Sequence, residues 1–170
     1  MPHSSNKIEW CLRKAEKEIK DGHKHRGLLK IKPDTTLAEE HILKAEHNLN
    51  AINDFKKIGY SDWSASAAFY SIYHCFLAVI TKFGYESRNQ ECTFALIYHL
   101  IESKKIDFDI NIVREIYDLN PEEKHESSSI VDVRESGQYG IKLSIEDKTF
   151  DKLIKMAKII LDKTKEILEK

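Results

Sequence analysis

The sequence predicts an all-α fold, an up-and-down helical bundle with an extra N-terminal helix. Three observations carry that expectation. Apolar residues recur at helical spacing along nearly the whole chain. Gly and Pro are scarce, 6 and 3 in 170 residues, too few for a fold with many tight β turns. Helix start and stop signals separate the periodic runs, and no strand pattern competes with them. The length suits one domain with a real core.

Ile8, Cys11, Leu12, Ala15 and Ile19 share one stripe, so residues 6–21 read as an amphipathic helix. Residues 22–33, GHKHRGLLKIKP, form a basic connector, so 1–33 is an N-terminal helix with its linker and 34–170 the bundle of a single domain. Thr36, three before Glu39, reads as the capping box of a second helix, whose stripe Ala38, Ile42, Ala45, Leu49 and Ile52 continues to Ile58. Gly59-Tyr60 is a Schellman-type stop. Gly84-Tyr85 repeats it after a third helix at 62–83. Ser87 with Gln90 reads as a second capping box, opening a fourth helix to about residue 103. A short helix follows at 109–119, and Asn120-Pro121-Glu122-Glu123 starts another that runs into the weakly periodic ESSSIVDVRESGQYG. Ser144 precedes the last helix, with its stripe Phe150, Leu153, Ile154, Ala157, Leu161 and Leu168.

The third helix carries no formal charge between Asp62 and Lys82, long enough to span a bilayer. Ser64, Ser66, Tyr70, Ser71, Tyr73 and His74 interrupt it, which fits the centre of a soluble bundle and no membrane contact. Lys+Arg (27) and Asp+Glu (28) nearly cancel, which removes the strong basic field of a protein held to nucleic acid by charge alone. Cys11, Cys75 and Cys92 have no CxxC spacing, and no signal peptide is read. They are expected as buried small hydrophobes in a reducing cytoplasm. No glycine-rich phosphate loop is present, and no cofactor is expected. His23 and His25 lie two apart with no third ligand, so no metal site is expected and they read as a solvated basic loop.

The stretch DWSASAAFYSIYHCFLAVITKFGYES resembles the A-rich, YYA-x-YH-type central helix of the HEPN family, with its glycine stop. VRESGQYG at 133–140 is similar to that family's R-x-x-A-D-Y-G helix ending, before a long C-terminal helix. The two pieces, in this order, span roughly residues 36–168. The N-terminal helix and RNQECT look like an archaeal-type elaboration. The resemblance implies a bundle of four or five helices, commonly a homodimer. It also implies a nucleotidyltransferase-type protein partner in a toxin–antitoxin-like system, and ribonuclease activity in some members. In those, a histidine follows an arginine after four to six residues; the histidine moves a proton and the arginine holds the phosphate. This chain departs there: after Arg134 those positions hold Tyr139, Gly140 and Ile141, and Arg13, Arg26, Arg88 and Arg114 lack the spacing too. Tyrosine, with an ordinary pKa near 10, is a poor base at neutral pH.

The expected function is therefore a non-catalytic module binding a nucleotide, RNA or a partner. The alternatives are a metal-independent ribonuclease with an altered site around Arg134 and Tyr139, and a purely structural scaffold. Arg134 and Tyr139 are the leading site residues; the plainer reading is a salt-bridged arginine and a tyrosine packed at a helix end. His74 and Tyr70 share a helix line and can face a cleft, but a core histidine bonded to a carbonyl or tyrosine is preferred. Arg88, Asn89 and Gln90 either present donors to a phosphate or only cap the fourth helix, and capping is preferred. His99 is expected in the core or an interface. The lysines of the last helix are expected on a solvated face. Apolar residues surround the fourth helix from Cys92 to Leu100, which motivates the homodimer.

Overall fold

The computed structural model of the protein describes residues 2–117 and 129–170. It is a helical bundle: α1 (Pro2–Lys20), α2 (Thr35–Lys57), α3 (Ser61–Lys82), α4 (Gln90–Glu102), α5 (Ile110–Ile116), α6 (Ile130–Tyr139) and α7 (Asp147–Glu169). The predicted helix start at Asn120-Pro121 lies outside the described residues.

α3 is the centre. Phe69, Ile72, Phe76 and Ile80 are fully buried, and Ala65, Ala68 and Ala78 let neighbouring backbones come close. α2, α6 and α7 pack around it. Two of the serines that break its apolar run are hydrogen-bonded: Ser64 Oγ donates to the Ile52 carbonyl and Ser71 Oγ to the Ala45 carbonyl, both at 2.8 Å. These two buried hydroxyls stitch α3 to α2 with their own donors met. Among the described residues α3 alone is long and apolar enough to cross a membrane, and most of it is buried inside the bundle.

The two glycine stops form as the sequence implies. Gly59 and Gly84 adopt φ of 87° and 81°, a region a side chain resists. Tyr60 N–H reaches back to the Phe55 carbonyl, closing the Schellman turn. The helix starts differ. Asp34, not Thr36, caps α2 by accepting from Leu37 N–H, and Asn89, not Ser87, caps α4 by accepting from Cys92 N–H. Both sites hold competing cap residues within two positions, and the backbone entry angle selects between them.

Two further expectations fail. The basic connector holds a strand, β1 (Leu28–Lys30), which pairs antiparallel with β2 (Tyr85–Ser87), Leu29 opposite Glu86. Three-residue strands are too short to show a period. Gly27 lets the chain before β1 lie against α1: a Cβ there would clash with the Cys11 carbonyl. His25 is not a solvated loop residue; it is buried, with Nε2 3.0 Å from Glu86 Oε1. Secondly, Cys11 and Cys92 form a disulfide, leaving Cys75 as the free buried thiol, its pKa pushed up to about 12, chiefly by burial. Two cysteines 81 positions apart gave no spacing signal.

Candidate functional site

α6 carries Arg134 onto the N-terminal half of α3. Ser129 and Asp132 cap α6 reciprocally. Gly137 lets the helix in closely, since a Cβ there would lie 2.6 Å from the Asp62 carbonyl. One turn earlier, the Arg134 guanidinium lies over the Phe69 ring, 4.6 Å from its centroid. The side chain is only 11% exposed, and its Nη2 is 3.2 Å from Glu135 Oε1. Its Nε is buried without a partner, as is Ser66 Oγ. Ser66 shares a helix face with Asp62 and Phe69, two residues that α6 touches. Buried donors left unmet are destabilising, so the α3–α6 seam holds hydrogen-bonding capacity that the described residues do not use.

Phe69 links the other candidates. Tyr70 meets it edge-on at 5.3 Å, and Tyr73 stacks on it at 5.8 Å. The Tyr73 hydroxyl lies 3.2 Å from Thr93 Oγ1, and Thr93 Oγ1 lies 3.0 Å from the Asn89 carbonyl. Arg134, Tyr70 and Asn89 therefore belong to one contact chain, and Asn89 also has the capping role expected of it. Burial raises the pKa of Tyr73, and the bond to Thr93 partly offsets it. Tyr117 stacks on Phe94, and burial, then Glu91 and Glu135, raise its pKa. Both tyrosines stay neutral donors at pH 7.

The remaining predicted residues stand apart. Tyr139, 77% exposed at the end of α6, makes no hydrogen bond or ring contact with Arg134. Arg88 turns to the sheet, where its Nε donates to Glu86 Oε1 at 2.8 Å. Gln90 is the first residue of α4. Among the described residues the hydrogen-bond partner of His74 is neither a carbonyl nor a tyrosine: its Nδ1 is 3.0 Å from Nδ1 of His41 on α2, a partner that sequence reasoning missed. His41 falls beside the Ala38–Ile42–Ala45 stripe, which was its one available signal. His99 is half-buried. The α7 lysines are more engaged than a free solvated face: Lys152 pairs with Glu115, Lys163 with Asp107 and Lys165 with Glu46. Among the described residues no three His, Cys, Asp or Glu side chains are grouped to hold a metal ion.

The HEPN domain family model matches residues 38–168, most of the chain. The chain belongs to the HEPN family. No curated protein matches it. The matched part of this HEPN domain runs from the first turn of α2 to the end of α7. It leaves α1 and β1 outside, although both are bound into the fold by the sheet and the disulfide. The family is often linked to RNA binding or RNA cleavage. In this HEPN domain a guanidinium on an aromatic ring can grip an oxyanion, and the Tyr70 hydroxyl, on a half-exposed side chain, can add a donor.

Proposed function

We propose that this HEPN domain binds RNA or nucleotide phosphate through Arg134 without cleaving it. The supporting observation is the Arg134 guanidinium over the Phe69 ring, with its Nε unpaired among the described residues and no histidine at the family's spacing after it in the sequence. The inward-facing histidines His41 and His74 are engaged with each other instead. In the same proposal the domain works in the cytoplasm as a homodimer, paired with a nucleotidyltransferase-type protein in a toxin–antitoxin-like system.

The surface first invoked for the dimer is not free. Residues from Cys92 to Leu100 are covered within one chain, with α1 lying along α4. Another surface fits better. Tyr60, Trp63, Tyr139, Ile141 and Leu143 are exposed at the start of α3 and the loop after α6, two segments joined by the bond from Ile145 N–H to Ser61 Oγ. Against the cytoplasm stands the Cys11–Cys92 bond, since reducing compartments rarely keep disulfides. Alkylation of thiols at lysis decides that point.

The test is fluorescence anisotropy with labelled RNA alongside a gel assay for cleavage. Arg134→Ala should weaken binding about ten- to hundredfold, the effect of losing a charge-assisted contact of roughly 1.5–3 kcal/mol. Arg134→Lys, which keeps the charge but not the fork, should fall between. Wild-type cleavage abolished by Arg134→Ala would make the protein a ribonuclease. Neither binding nor cleavage would leave a scaffold.

A further inference from the structure

At the far end of α3, about 30 Å from its start by helical rise, the structure holds a cleft of about 580 Å³. Such a volume lies within the range of small-molecule sites, roughly 300–1,000 Å³. Its floor is hydrocarbon: Phe83, Ile101, Ile106, Phe108 and Ile167. None of those side chains offers a hydrogen-bond donor or acceptor.

The rim is basic: Lys82, Lys104, Lys105 and Lys170. Asp107, the one acidic side chain in the lining, is paired with Lys163 at 3.1 Å. Among the described residues no carboxylate pairs with Lys104, Lys105 or Lys170. Of the rim lysines, only the Lys82 ammonium is taken up by a helix end among the described residues. The last carbonyls of α4 are bonded by the amides of Ser103, Lys104, Lys105 and Ile106. Those of α7 at Ile167 and Leu168 are bonded by the Lys82 ammonium alone, at 2.7 and 3.0 Å.

The chain also departs from its own habit at this point. It ends α2 and α3 with glycine in the left-handed conformation, but Lys104 takes that place after α4, with φ of 56°. A side chain there is disfavoured, and it brings an ammonium to the mouth of the cleft.

We propose that this cleft binds a small organic anion with a hydrocarbon body, the carboxylate or other anionic head on the lysines and the body on the floor. A free phosphate would use only the rim. A nucleobase would leave its polar edge against a floor with nothing to bond it, which is unfavourable. The proposal is independent of the RNA reading, because no residue is shared with the Arg134 seam.

The test is titration of the isotope-labelled full chain with octanoate, followed by amide chemical shifts, with inorganic phosphate as the second arm. Octanoate should shift the amides of residue 83, residues 101–108 and residues 167–170, saturating at about millimolar concentration or below. Phosphate should shift them little. The double variant Lys104→Glu/Lys105→Glu, at two exposed positions, should keep the wild-type spectrum elsewhere and bind octanoate about tenfold more weakly. Shifts outside the cleft, equal binding by the double variant, or phosphate binding as tight as octanoate would each overturn the proposal.

Discussion

His41 of α2 and His74 of α3 meet through their Nδ1 atoms, 3.0 Å apart, where the two helices pack. One ring must donate and the other accept, so at least one ring must be neutral, and the contact is lost when both are charged. Burial, then His41, then Lys44 depress the pKa of His74 to about 4, and burial depresses that of His41, with Glu40 acting against it. An unfolded histidine titrates near 6.5. Below that value protons bind the unfolded chain in preference, so stability is full above pH 6.5 and is lost as the pH falls toward 4. We expect a loss of about 1–2 kcal/mol from this pair, solvent at the half-exposed rings screening the rest. Urea unfolding at pH 7.5 and pH 5 checks it: His74→Gln should flatten the difference seen in the wild type.

The Cys11–Cys92 bond closes a loop of 81 positions, and both sulfurs are inaccessible in the fold. Chain-entropy reasoning gives about 4.5 kcal/mol for a loop of that length. The double variant Cys11→Ala/Cys92→Ala should unfold at lower denaturant, and hydrogen exchange should speed up in α1 before it does in α3. Dithiothreitol should reduce the native protein slowly and the unfolded protein at once, which mass spectrometry after alkylation reads directly.

Gly137→Ala should disturb the seam that holds Arg134. The new methyl would press on the Asp62 carbonyl, a backbone atom that cannot swing aside. A cost of about 1–3 kcal/mol is expected, as for overpacking. RNA affinity should fall with it if Arg134 binds phosphate, because α6 would be lifted from Phe69. Melting temperature and anisotropy, measured on the same preparation, separate this from an effect on stability alone.

Lys104→Gly is expected to act in the opposite sense on stability. Its φ of 56° suits glycine, so relief of the left-handed strain should stabilise by about 0.5–1 kcal/mol. Thermal melts check this. An unchanged or lower melting temperature would mean that the lysine side chain contributes packing that outweighs the backbone strain.

What the sequence disclosed was whatever is local. Gly59 and Gly84 stop helices through their own dihedrals, and the stripe from Phe150 to Leu161 follows from helical period alone. Choices between near neighbours were not legible: Asp34 against Thr36, and Asn89 against Ser87, differ only in how the chain enters the helix. Pairings across the fold were invisible, because nothing in a sequence couples Cys11 to Cys92, His41 to His74, or Leu29 to Glu86. Arg134 could be singled out by its motif, but its seat on Phe69, beside its ion pair with Glu135, is a tertiary fact. Tyr139 was coupled to it by proximity in sequence, and helix geometry turned the two apart.

The short ladder between β1 and β2 bears on where this chain can be cut. The family match begins at residue 38, but β2 takes its hydrogen-bonding partner from residues 28–30. A version trimmed to the matched residues would expose a bare strand edge at 85–87, an unpaired Cys92 thiol and the apolar flank of α4 that α1 covers. Bare edges recruit other chains, and an exposed thiol can cross-link them. The trimmed protein should therefore associate in solution through contacts absent from the whole chain, and an oligomer measured on it would report the cut.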